Sequence, residues 1–438
     1  MKKIFLAILV LALASGSWAL TLKESIDIAL RNNPTIIASQ RKADAADAKL
    51  SQAFGAFLPT IKADGTYGRS WAQPSTVQFT TVTTAGSGSQ TMTFGSNDAQ
   101  NMKSLQASLS QPLLVAPLFP SYSIAKKGAD LTKEDLRKTF IDTSYNVTQT
   151  YFGVLKAEKM LKLAEESRDM AQSHLKQVGA MLSAGVSTRA DLLRSEVQMA
   201  NSEVVLTKAR SGLELAKDAF NNALGNDLEQ EVKLEEEGSI GTVADLPEYK
   251  MLLSMAFNNR PDWKEFVLTT GINEENLKLA QAAYLPSVVL SATTGNSINE
   301  YPTFKSDVNS WNIVGAASWT LFDGLVRENK VSEAASNLAA QKASEEQVRN
   351  GIALEVRDAF LSLKSARETI GSAKKAVDSA EEGYKVSSLR FNSGVGTNLE
   401  VIDAQVALTQ ARLNHLQALF EVEIAKAKIN KVVGKEII

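Results

Sequence analysis

Along most of the chain apolar residues recur every three to four positions, and this pattern gives way to alternation in two places within each half. Leu20 to Phe57 reads as helix, broken at Arg31-Asn32-Asn33-Pro34 because proline disfavours helical backbone in the residue before it. After Leu58-Pro59, the residues Ile61, Ala63, Gly65, Tyr67 and Trp71 share one parity, opposite Lys62, Asp64, Thr66 and Ser70. Leu105, Ala107 and Leu109 alternate in the same way with Ser104, Gln106 and Ser108, so two strands with one apolar face are predicted. A helical pattern then runs from Tyr122 to Leu182, turns at Gly185, and returns.

The second half repeats this order. Ala29, Asn32, Pro34, Leu50, Ala53, Ala56, Leu58 and Pro59 match Ala256, Asn259, Pro261, Leu277, Ala280, Ala283, Leu285 and Pro286 without a gap. Val288, Leu290 and Ala292 mark a third strand, and Trp311, Ile313, Gly315, Ala317 and Trp319 a fourth. A helix from Asn329 to Phe391 turns at Gly394. The turn Gly185-Val186-Ser187-Thr188 corresponds to Gly394-Val395-Gly396-Thr397, each with a glycine to end one helix and a threonine to cap the next. The expected organisation is a leader over 1–19, a first repeat over 20–225, a surface connection over 226–247 and a second repeat over 248–438.

Strands of about ten residues suit either a soluble hairpin with one buried face or a tilted crossing of an outer membrane. In the membrane case Trp71, Trp311 and Trp319 would lie near strand ends, as an aromatic girdle, and the Ser-, Thr- and Gly-rich stretch Gln73 to Gln100 would be an outer loop. Four strands cannot close a barrel, and open edges cannot stand in lipid, so several chains would have to assemble. The helices following the strands could each extend about 90 Å. On the last one Leu399, Ile402, Val406, Thr409, Leu413, Leu416 and Phe420 follow a coiled-coil period, and Leu161, Ala164, Ala171, Leu175, Val178 and Leu182 do so before the first turn.

Met1-Lys2-Lys3, the apolar run Ile4 to Ala14 and Ser17-Trp18-Ala19 have the three parts of a secretory signal peptide, cleaved after Ala19. Loss of Lys2 and Lys3 leaves 45 basic against 49 acidic residues, which gives no nucleic-acid footprint. There is no cysteine, hence no thiolate metal site, and the two histidines, His174 and His415, stand without a ligand pattern around them. Neither a nucleophile elbow nor a phosphate-binding loop occurs, so no enzyme and no cofactor is expected.

The order of these features, with Arg390-Phe391-Asn392-Ser393-Gly394 before the second turn, resembles the TolC-like outer-membrane efflux proteins over essentially the whole mature chain. The resemblance implies a mostly α fold with a transmembrane β part: a homotrimer whose four strands per chain form a 12-stranded barrel, continued by a periplasmic coiled-coil helical barrel. It further implies an exit duct for efflux or type I secretion, joined through a periplasmic adaptor to an inner-membrane RND or ABC pump. Glu400 and Asp403, with Asp191 as the first-repeat counterpart, would form an anionic ring at the periplasmic entrance. Taken alone they are acids near a helix start, which the helix dipole favours.

Members of the family can close the entrance with an arginine and a tyrosine near the second tip; here Gly396 and Phe391 hold those places, so Arg189 or Arg194 would have to substitute. Gly185, Val186, Gly394 and Val395 match the tip positions that meet the adaptor. The rival reading is a trimeric coiled-coil adhesive or structural protein on the same barrel. It fits less well, because the strands lie inside each half and the chain ends in a helix.

Overall fold

The computed structural model describes residues 19–71, 73, 75–83, 86–94, 99–235, 240–241, 248–301 and 304–437. The expected signal peptide, parts of the segment between Gln73 and Gln100, and most of the acidic end of the connection lie outside them.

Helix α1 (Leu22–Asn32) begins at a capping box in which Thr21 Oγ1 accepts from the Glu24 N–H at 3.2 Å and the Glu24 carboxylate accepts from the Thr21 N–H at 3.0 Å. It stops one residue before Pro34, and α2 (Pro34–Gly55) starts at that proline. The second half repeats the break between α5 (Tyr249–Asn259) and α6 (Pro261–Ala282). The remaining helices are α3 (Leu118–Ser183), α4 (Arg189–Leu224), α7 (Val326–Ala343), α8 (Glu345–Asn392) and α9 (Asn398–Val433). The helix expected from Asn329 to Phe391 is thus divided at Ser344.

The described residues separate into two units, one helical (within 19–44, 131–267 and 344–437) and one that carries the strands (within 45–130 and 268–343). In the helical unit each return helix ends against a proline break. Gly225 (φ +78°) caps α4 beside Asn32 and Asn33, and Gly434 (φ +74°) caps α9 beside Asn259 and Arg260. A Cβ at either glycine would lie 2.9 Å from Asn32 O or 3.0 Å from Asn259 O, so both the left-handed backbone and the close approach call for glycine.

One core gathers Val147, Tyr151, Phe152, Phe220, Leu224 and Phe420, and another Leu252, Val356, Leu363, Val422 and Ile429. The connection is anchored where it starts. Val232 is buried, Leu20 N–H donates to Lys233 O at 2.8 Å, and Tyr151 Oη donates to Glu235 O at 2.7 Å. Its first residues therefore line the core; alternating Val232 and Leu234 were outweighed, in the sequence, by the acids around them.

The coiled-coil period is present, and of the expected line on α9 Phe420 is buried and Ile402, Thr409, Leu413 and Leu416 are half-buried, but a second line is buried nearer the tip. Asn398, Val401, Gln405 and Leu408 are buried, whereas Leu399 and Val406 are exposed. Two of the buried positions are polar, so counting apolar residues selects the adjacent stripe. On α3 the buried line is Ala164, Ser167, Ala171, His174 and Val178, with Leu161, Leu175 and Leu182 only half-buried beside it.

In the other unit β1 (Thr60–Ser70), β4 (Gln100–Leu114), β5 (Ser287–Glu300) and β6 (Lys305–Ser318) form one antiparallel sheet in the order β1-β4-β5-β6. Register places Ile61 opposite Leu109, Leu109 opposite Ala292, and Ala292 opposite Ile313, which makes an apolar row across the sheet. The adjacent row, Lys62, Ser108, Thr293 and Asn312, belongs to the other face. Between β1 and β4 lies a separate hairpin of β2 (Ser75–Thr83) and β3 (Gly86–Phe94), where a loop was expected. The threonines and valines of this polar stretch are β-branched and favour extended backbone, a preference that polarity alone conceals. Among the described residues no helix is long and apolar enough to cross a membrane.

Candidate functional site

The two helical tips have the same local construction. At the first, Val186 N–H donates to Met181 O at 2.9 Å, and at the second Val395 N–H donates to Arg390 O at 3.0 Å. Gly185 (φ +76°) and Gly394 (φ +73°) supply the left-handed residue, while Val186 and Val395 are exposed at 74% and 68%. Large apolar side chains held at the apex of a turn are a surface suited to contact.

The paired acids of the two tips do different work. Asp191 closes a capping box: its carboxylate accepts from Thr188 Oγ1 at 2.6 Å and from the Thr188 N–H at 3.2 Å. These bonds, chiefly that from the Thr188 hydroxyl, hold its carboxyl below the ordinary value, and the nearby Arg194 charge adds to the effect. Glu400 does not return to its cap; Thr397 Oγ1 accepts from the Glu400 N–H at 3.2 Å, and the Glu400 side chain lies 3.7 Å from Arg390 Nε. Arg390 also donates to Val395 O at 3.3 Å, tying helix to tip. The sequence shows this arginine in its motif but not its role as the partner of Glu400.

Glu400 and Asp403 are both exposed on the first turns of α9. Arg189 and Arg194 are exposed and make no ion pair within 4.0 Å among the described residues. Phe391 lies in the interior, packed on Val178 and Val401 with its ring 5.3 Å from the His174 ring. Gly396 fits tightly, since a Cβ there would be 2.8 Å from the Phe391 amide nitrogen.

A polar centre that sequence reading passed over joins the two hairpins. Asn398 Nδ2 donates to Asp191 O at 3.0 Å; Asn398 Oδ1 accepts from Ser195 Oγ at 3.4 Å and lies 2.6 Å from His174 Nε2. Burial pushes the His174 imidazole down, with the Asn398 bond acting the other way. Two signals could have found it: a histidine on the seam line of α3, and an asparagine where a cap pattern leads into a coiled coil.

On the sheet, Trp71 follows the end of β1 and Trp319 follows the end of β6, where its Nε1 donates to Tyr284 O at 3.0 Å. Trp311 was expected near an end but lies midway along β6, opposite Thr294, because β6 already begins at Lys305 and pairs there with Glu300. Nearby, Arg327 is buried and donates to Thr320 O at 2.7 Å and Leu321 O at 3.1 Å, fixing the corner between β6 and α7.

The described residues contain no group of carboxylates and histidines able to hold a metal ion. The profile of the outer membrane efflux protein family matches residues 25–226 and 252–435. The chain is 23% identical to outer membrane protein TolC of Escherichia coli strain K12, over 99% of this chain and 87% of that protein. It is 24% identical to the cobalt-zinc-cadmium resistance protein CzcC of Cupriavidus metallidurans, over 76% and 78%. Among solved structures, the outer membrane protein VceC of Vibrio cholerae superimposes with a TM-score of 0.79 at 15% identity, over 94% of this chain and 96% of that one. The chain belongs to the outer membrane efflux protein family and is an outer-membrane channel for efflux or secretion, with a periplasmic helical part.

Proposed function

We propose that three copies of this chain form one export duct, in which their sheets close a barrel of twelve strands and their helices line the periplasmic passage. The observation that carries this reading is the four-stranded sheet, whose β1 and β6 edges, 11 and 14 residues long, pair with no further strand among the described residues. An open edge leaves backbone donors and acceptors unpaired, which hydrocarbon does not tolerate, so a neighbour's edge must pair with it. The apolar stripe of Leu399 and Val406 on α9, and Leu193, Val197 and Val204 on α4, are exposed in the single chain and suit the same neighbours.

Channels of this kind work with an adaptor and an inner-membrane pump. Here Gly185, Val186, Gly394 and Val395 form the adaptor contact, and the pump is of the RND or ABC class. Glu400 and Asp403 from three copies form an anionic mouth that attracts cations. Arg390 holds each Glu400 in place, and Arg189 and Arg194 are free to bridge to a neighbouring copy. Trp71 and Trp319 mark the two ends of the apolar band. The test is photo-crosslinking in living cells from residue 186 or 395. Capture of a periplasmic adaptor supports the duct, and the adaptor's class identifies the pump; a stable assembly that captures none, where a control exporter does, overturns the tip contact.

A further inference from the structure

Asn398 and Gln405 are one heptad apart on α9, as are Ser195 and Ser202 on α4, and Ser167 and His174 on α3. All six are buried. His174, Ser195 and Asn398 meet nearest the tips, and one heptad farther along each helix Gln405 meets Ser167 while Ser202 holds the corresponding position on α4, which sets out two layers. Each layer takes one polar side chain from each of the three helices, at positions where a coiled coil ordinarily places Leu or Ile.

The layers are unevenly satisfied. The outer one is bonded as described above. In the inner one, Gln405 Nε2 donates to Ser167 O at 3.2 Å and Ser167 Oγ lies 3.3 Å from Thr409 Oγ1, while Ser202 turns to its own helix and donates to Met199 O at 2.7 Å. Gln405 is 0% exposed, yet its Oε1 has no hydrogen-bond partner among the described residues. A buried unpaired acceptor makes this packing weaker than an apolar layer, and water entering on separation would satisfy it. Farther along α3, α4 and α9 the core is dominated by large apolar side chains, Val147, Tyr151, Phe152, Phe220, Leu224 and Phe420, with Thr148 and Asn221 also buried on α3 and α4.

We propose that these two layers are a hydratable latch by which the tip end of α9 parts from α3 and α4 while the aromatic-rich core around Phe152, Phe220 and Phe420 stays closed. The proposal rests on the export reading for its purpose, which is to let the mouth widen without unfolding the hairpins. Separating a Leu layer exposes apolar surface; separating these layers exchanges protein hydrogen bonds for water bonds at little net loss.

The test is hydrogen exchange and single-channel conductance of the full-length protein, alone and with the paired substitutions Asn398→Leu and Gln405→Leu. In the unmodified protein, amides of 398–409 should exchange at least about tenfold faster than those of 418–432. In the variant, exchange at 398–409 should slow, and the open fraction of the channel should fall, each by about tenfold. Equal exchange in the two segments, or an unslowed variant that retains its assembly, overturns the latch. So does slowed exchange with unchanged conductance. Gln405→Leu alone leaves the Asn398 bonds intact; slowed exchange in that variant supports the latch even where the double variant misfolds, and unslowed exchange counts against it. The exchange gradient is read without transport, so a protein that shows it but never conducts fails the export reading alone.

Discussion

Gly225→Ala isolates the contact that joins a return helix to its proline break. The left-handed backbone at φ +78° costs an alanine about 1 kcal/mol. Its Cβ would in addition lie 2.9 Å from both Asn32 O and Asn33 Cα, main-chain atoms fixed by the Asn33 N–H bond to Ala29 O, and such overpacking adds about 1–3 kcal/mol. The expected loss is about 2–4 kcal/mol. Gly185→Ala is the control: φ is +76°, nothing lies within 4 Å of the added Cβ, and only the backbone cost of about 1 kcal/mol applies. Thermal melts of the helical circular dichroism signal at one scan rate should show midpoints lowered by about 2–5 °C for Gly225→Ala and about 1 °C for Gly185→Ala. Equal shifts would refute the claim that close approach at the break, rather than left-handed backbone alone, requires glycine there.

Arg260 is 8% exposed and bonds Asp262 at 2.6 Å and Val432 O at 3.3 Å, so Arg260→Met, which leaves the half-buried Asp262 carboxylate and that carbonyl without their donor, should cost about 2–3 kcal/mol in the same melts, the exposed Glu355 contributing little. Arg390→Ala removes a half-exposed pair with Glu400 and should cost under about 1 kcal/mol while altering the cation selectivity measured across a planar bilayer. Arg189→Ala with Arg194→Ala should raise single-channel conductance under the proposed bridging to neighbouring copies, and unchanged conductance removes these arginines from the closure. The buried His174 has its imidazole pushed below the ordinary 6.5, so on acidification the unfolded chain takes up the proton first and stability falls from about pH 6.5 downward. Protection at 398–409, corrected for the intrinsic pH dependence of amide exchange, should therefore fall between pH 7.5 and 5.5, and His174→Gln should flatten the profile; the Asp191 cap, held below its ordinary 3.8, stays ionised throughout.

Much of the fold was legible because it rests on backbone chemistry that single residues impose. Pro34 and Pro261 break helices wherever they stand, Gly185 and Gly394 end them, and alternation after each Leu-Pro marks β1, β4, β5 and β6. The buried line on α9 near the tip was missed because Asn398 and Gln405 occupy it, and a polar residue in a core position can be recognised only once its partners are placed. For the same reason the equivalence of Asp191 and Glu400 concealed that one caps its helix while the other meets Arg390. The β2-β3 hairpin was hidden by composition, and Trp311 by a strand that extends past the apolar band.

The chain has no cysteine, so paired cysteines introduced in β1 and β6 report only on the junction between copies. Scanning such pairs in membranes and oxidising them tests the three-copy barrel most directly. The account predicts covalent species of one, two and three chains and none larger, since the ring closes at three. A ladder running past three, or no product at any register from an outer membrane that contains the protein, would contradict it.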